Sequence, residues 1–264
     1  ANLAVARGWE GDRLGASQAL DEAEALNRDF GTPWSSAHLA HLRSLDQALA
    51  GDFEGAREGQ RAFVQEMIRL EDLASAATGA YLVVALGDMA GRIDLYDDID
   101  HARRLATEVK DPIILGQVLL LEARVMRRSG DARARTALEA AIVDLEAKGV
   151  LRPAALARRD LGLLALAEGD WSGAQHLLSA ALPVLLKLDR SAAALACAGL
   201  GALAADRAQA VRASRLAGIA HQLLRATAPT SNEDRQRVPE LLVGIDVPTV
   251  QVPDDAEIVE LASG

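Results

Sequence analysis

The stretch 167-AEGDWSGAQHLL-178 sets a glycine–aspartate corner between two apolar, helix-forming runs. Upstream, AALARRDLGLLALAE has apolar residues at helical spacing, and downstream SGAQHLLSAALPVLLKL does the same. Gly169 can end the first helix because a residue without a Cβ accepts a left-handed backbone. Asp170 is placed to cap the second by accepting a free backbone N–H. Trp171 is expected to pack at the corner. The stretch is either a single tight turn or one copy of a repeat, and the positions of similar corners decide between the two.

GDRLGA begins at Gly11, GDFEGA at Gly51, GRIDLY at Gly91, GDARAR at Gly130, GDWSGA at Gly169 and a degenerate ADRAQA at Ala205, with intervals of 40, 40, 39, 39 and 36 residues. Six markers at nearly constant spacing establish an internal repeat. The residue five after the marker is Ala16, Ala56, Ala174 or Ala210 in four copies, small enough for the second helix of each pair to approach the first. Tyr96 and Arg135 break that rule, so the third and fourth repeats must cross differently or slide in register.

The composition agrees with helices packed at short range. Half of the 264 residues are hydrophobic but only 3% are aromatic, so the apolar content is mainly Ala, Leu and Val. Ala and Leu lose little entropy in a helix. Thr32-Pro33, Asp111-Pro112 and Arg152-Pro153 read as helix starts. The expected fold is all-α, a right-handed α-solenoid of about six helix-turn-helix repeats over residues 1–225. A polar loop, a short capping helix and an acidic tail are expected over 226–264.

These features resemble the tetratricopeptide repeat, in which two antiparallel helices meet at a Gly-Asp-aromatic corner followed by a small residue. GDF at 51, GDW at 169 and Leu161-Gly162 carry the match, with a period of about 39 residues against the family's usual 34. The resemblance implies a concave groove lined by the first helix of every pair. The passage RASRLAGIA (212–220) further resembles the end of the helical-repeat region in the MalT-like and LuxR-type regulators of the signal-transducing ATPase class. That resemblance implies a non-catalytic sensing segment of a larger bacterial transcriptional regulator, binding an effector or holding a protein partner. The alternative is a stand-alone scaffold or adaptor that docks peptides. The chain begins within helical sequence without a Met and reads as part of something longer.

No G-x-x-x-x-G-K-[ST] phosphate loop and no nucleophile–histidine motif occurs, so neither an enzyme nor a cofactor in this segment is expected. A formal charge of −10 repels a phosphate backbone, which argues against direct nucleic-acid binding. No apolar run approaches the roughly 20 residues that span a bilayer. The expected setting is therefore the cytoplasm, without a membrane partner. The single cysteine, Cys197, lies in an apolar helical stretch and reads as an inert buried thiol. Acidic runs such as DDID (97–100) read as solvated faces or helix N-termini.

Candidate binding residues come from the expected groove faces. Arg124, Arg127 and Arg128 stand six, three and two residues before Gly130 and share a helical face. Arg159 stands ten before Gly169. Together they are candidates for gripping a small anionic effector or an acidic protein segment. The competing reading pairs them internally with Glu122, Asp131, Glu139 or Asp160. His38, His41, Tyr81 and Gln117 fall on groove positions by the same count. His38 and His41 lie three apart, but a metal needs a third ligand and none is evident, so no metal site is expected. A homo-oligomer is the remaining partner class.

Overall fold

A computed structural model describes residues 12–226 and 232–263. The first marker, Gly11, and the break at 227–231 lie outside the described residues. The described residues form thirteen α-helices and no strand. In chain order they are α1 (Arg13–Phe30), α2 (Pro33–Leu49), α3 (Phe53–Arg69), α4 (Leu73–Met89), α5 (Tyr96–Glu108), α6 (Pro112–Ser129), α7 (Ala134–Ala147), α8 (Leu151–Ala167), α9 (Trp171–Leu188), α10 (Arg190–Asp206), α11 (Ala210–Ala226), α12 (Asn232–Leu241) and α13 (Asp255–Ser263). The chain divides into two compact units, residues 1–121 and 122–264, with the boundary inside α6. None of the described helices is long and apolar enough to cross a membrane.

The corners explain why these helices stop where they do. Left-handed backbone occurs at Gly51, Glu71, Gly91, Lys110, Gly130, Gly149 and Gly169, at successive intervals of 20, 20, 19, 20, 19 and 20 residues. The sequence marker saw every second one. At each corner the following N–H reaches back to a carbonyl in the last turn, as in Asp52 N to Gln47 O, Asp72 N to Met67 O and Asp170 N to Ala165 O. This is the Schellman closure, which satisfies carbonyls that a helix end leaves open. A Cβ on Gly51, Gly130 or Gly169 would meet nothing within 4 Å, so backbone conformation rather than space selects glycine there.

The next helix starts on a side-chain cap. Asp12, Asp52 and Asp170 accept hydrogen bonds from the N–H groups of Gly15, Gly55 and Gly173, and Asp72, Asp111 and Asp189 cap their own helices in the same way. The second glycine of G-D-x-x-G has its own reason. A Cβ at Gly15, Gly55 or Gly173 would stand 2.1, 2.3 or 2.1 Å from the capping carboxylate.

In the first unit, α1 to α4 each pack on the next helix, and α4 packs on α5. Ala56 is fully buried, as the repeat requires. The third repeat slides in register: α5 starts five residues after Gly91, whereas α3 starts two after Gly51, and Ile99 takes the buried position. The run DDID stands at a helix N-terminus, with Asp97 and Asp98 in the first turn of α5, and Asp98 also accepts from the buried Arg57 and from Arg61, which joins α5 to α3.

The second unit repeats the pattern from α7 to α11, with α8 also touching α10. Here α7 starts four residues after Gly130, and Leu138 fills the buried position. The close approach of α8 to α9 depends on Gly162, where a Cβ would lie 2.8 Å from Leu178. Two expectations are corrected. The sixth corner is at Ala208, not Ala205: Ala208 has φ 57°, stands 39 residues after Gly169 and restores the period. The small buried residue five further on is Ala213, while Ala210 is exposed. Trp171 does not pack into the corner. It is 41% exposed, whereas Phe53 at the matching place is 4% exposed against Ala48, Ala56 and Leu86.

The last segment is built into the second unit. Helix α12 packs on α10 and α11, and α13 packs on α9 and α11. The acidic tail is therefore helical at its end. Gln175 Nε2 donates to Ala262 O (2.7 Å), and Arg212 donates to Leu261 O (2.9 Å) and Ala262 O (2.8 Å). These bonds satisfy carbonyls in the last turn of α13.

Candidate partner-binding site

The candidate site residues fall into two groups, one in each unit. In the second unit Arg124 and Arg127 on α6 and Arg159 on α8 converge on Asp160. Arg124 Nε stands 2.9 Å from Asp160 Oδ2, and Arg127 Nη2 stands 3.9 Å from Oδ1. Arg159 donates from Nε and Nη2 to Oδ1 at 3.0 and 2.8 Å. Its Nη1 also reaches Asp234 on α12 at 3.4 Å.

Arg159 and Asp160 are buried, and the side chains of Arg124 and Arg127 are nearly so. The expectation of an open basic patch is corrected at these residues. A guanidinium taken out of water must meet a carboxylate, and Asp160 and Asp234 supply it. Asp160 was among the internal partners considered from sequence. Asp234 was not, because it lies 75 residues beyond Arg159 on a helix whose packing no local pattern announces. Arg128, on α6 with Arg124 and Arg127, is half-buried.

In the first unit His38 and His41 do come together, around Phe63. His38 meets the Phe63 ring edge-on at 5.2 Å, and His41 lies 4.7 Å from it. His38 also stacks on Trp34 with ring centroids 3.7 Å apart, and its Nδ1 is 3.0 Å from Trp34 O. His41 Nδ1 stands 3.0 Å from Gln60 Oε1. Burial pushes the His41 pKa below its ordinary value, against the Gln60 contact that raises it, and neighbouring His38 lowers it further. Among the described residues no group of three His, Cys, Asp or Glu side chains gathers as a metal site. Tyr81 on α4 and Gln117 on α6 are half-buried.

Beside the rings of Trp34 and His38 lies a cleft of about 410 Å³ between α1 and α2. Ala23, Leu26 and Phe30 form one wall, and Trp34, His38 and Leu39 the other. Three of these side chains are large and open to solvent: Leu26 is 66% exposed, Phe30 84% and Trp34 49%.

The floor of the cleft is rigidly tied. Thr32 and Ser35 form a reciprocal capping box at the start of α2. Asn27 at the end of α1 donates to Ser36 Oγ (2.7 Å) and accepts from Ser35 Oγ (2.5 Å). The Trp34 indole donates to Asp72 Oδ2 at 3.0 Å. Hydrogen bonds from the Ser75 backbone and from Trp34 hold the Asp72 carboxyl below the usual carboxylate range. Phe30, Trp34 and Phe63 were not among the residues chosen from sequence. The available signal was Trp34 one turn before His38 in PWSSAH.

In fold, the chain is similar to BtubC (BKLC) from P. vanneervenii. The two superpose with a TM-score of 0.55 at 18% sequence identity, over 93% of this chain and 96% of that one. The likeness concerns architecture alone. No protein-family model matches the sequence, and no curated protein matches it.

Cys197 is wholly buried in α10, and burial pushes its thiol up to about 12. Such a group has no thiolate to offer near neutral pH.

Proposed function

We propose that this chain is a non-catalytic, partner-docking helical-repeat module, and that it serves as the sensing segment of a bacterial transcriptional regulator. One observation carries the docking reading: a preorganised cleft that holds Leu26, Phe30 and Trp34 open to solvent on paired helices. Large exposed apolar side chains gathered in one place mark interaction surfaces. Rigid aromatic groups lose little entropy when they are covered. The cleft and its walls present apolar surface and hydrogen-bonding groups, which suit binding rather than turnover.

The regulator reading is supported by RASRLAGIA on α11 and by its resemblance to the MalT-like and LuxR-type repeat regions. The arginines of α6 and α8 lend less support to an anionic effector, since Asp160 and Asp234 already meet their charge.

Selection of a displayed random-peptide library on the chain tests the docking function. The expected result is a consensus whose synthetic peptide binds one-to-one and raises thermal stability, as any ligand of the folded state must. Failure of any consensus to emerge would overturn it.

A further inference from the structure

Building on the docking reading, we propose that the α1–α2 cleft takes a protein segment with an apolar or aromatic anchor flanked by basic residues. The anchor follows from the walls. Leu26, Phe30 and Trp34 present apolar surface around a volume of about 410 Å³, inside the ~300–1,000 Å³ range of clefts that enclose a bound group.

The basic flanks follow from charge. Residues 1–121 hold 20 carboxylates and 11 basic side chains, a formal charge of −9; residues 122–264 hold 18 and 17, a charge of −1. Nearly all of the negative charge of the chain therefore belongs to the unit that carries the cleft.

That charge also reaches the cleft itself. Glu22 stands four residues before Leu26 and Asp29 three after it, so both border Leu26 on the surface of α1. Both are exposed, and neither pairs with a cation among the described residues. Beyond the opposite wall, and not lining the cleft itself, Asp72 accepts the Trp34 indole N–H, and its carboxyl is held below the usual carboxylate range. A lysine or arginine beside the anchor would meet Glu22 or Asp29, and one above Trp34 would gain a cation–π contact. Phosphate-bearing partners and anionic lipid would be repelled by the same rim.

The test is fluorescence polarisation with a short labelled peptide in which lysines flank a central Leu–Phe pair. Two control peptides exchange the lysines for glutamates or the Leu–Phe pair for serines. The lysine peptide should bind about ten-fold or more tightly than either control, and its affinity should fall with salt. Leu26→Ser with Phe30→Ser should weaken it about ten-fold, and Glu22→Lys with Asp29→Lys should weaken it and flatten the salt dependence. All four positions are exposed, and helical circular dichroism confirms that each variant folds.

Equal binding of the three peptides, or undiminished binding by the Leu26/Phe30 variant, overturns the proposal. If library-selected peptides still bind that variant fully, the cleft assignment fails while the docking function stands. If the library yields no binder at all, the docking function fails with it.

Discussion

Asp170 Oδ1 accepts a hydrogen bond from Gly173 N at 2.9 Å, and its other carboxylate oxygen lies 2.1 Å from where a Cβ on Gly173 would stand. Cap and glycine are therefore one device. Gly173→Ala alone should change stability by less than about 0.5 kcal/mol or lower it. The gain of about 1 kcal/mol from placing Ala in a helix is offset by a cap loss of similar size. With Asp170→Ala already present, the same change should stabilise by about 1 kcal/mol. A double-mutant cycle in urea measures this, and an equal gain in both backgrounds would show that the two residues are independent.

Ala208 holds a left-handed backbone at φ 57° where Gly51, Gly91, Gly130 and Gly169 stand at the matching corners. Ala208→Gly should stabilise the second unit by about 0.5–1 kcal/mol, the relief of Cβ strain less the added freedom of the unfolded chain. The reading is an increased denaturant midpoint with an unchanged slope. A lower midpoint would mean that the corner is not strained.

Asp160 is the common anion of Arg124, Arg127 and Arg159. Asp160→Asn removes that charge from three buried or nearly buried guanidiniums and should cost about 3–5 kcal/mol. Asp21→Asn, which breaks the exposed pair with Arg43, should cost less than about 1 kcal/mol and serves as the control. Similar losses for the two variants would rule out a structural role for the cluster.

His41 has a lowered pKa, chiefly because it is buried. The folded state then holds the neutral ring, while the unfolded chain takes up a proton below about pH 6.5. Stability present above that pH is lost as the pH falls toward the folded value, with a slope of at most about 1.4 kcal/mol per pH unit from this group. Melting temperatures from pH 7.5 to 5 should fall less steeply in His41→Gln than in the parent. An identical slope would assign the effect to other groups.

The parts of this fold legible in the sequence are those fixed by local chemistry. Gly51, Gly91, Gly130 and Gly169 announce themselves because a helix end needs left-handed backbone within a few residues. Asp52 and Asp170 do so because a cap bonds only three residues ahead. Glu71, Lys110 and Ala208 adopt the same conformation with ordinary side chains, so no glycine marks these three corners, and the last of them was placed three residues early.

The candidate sites depend on long-range meetings. Placing Arg124 and Arg159 on inward helical faces was possible from spacing. Asp160 was also within reach of that reading as an internal partner, but Asp234 was not, since it arrives on α12 after residues of no fixed periodicity. Trp34 was overlooked for a related reason. Its partner Asp72 is 38 residues away, and only their contact turns an isolated indole into a fixed wall.

The hold on α13 has a mechanical consequence. Its last carbonyls are gripped by Gln175 on α9 and Arg212 on α11, so the two bonded helices lie on either side of α10 in chain order. Tension applied at Ser263 would be shared at once between two repeats instead of peeling them one after another. The terminal segment acts as a strap, and whatever pulls on it must load α9 and α11 together.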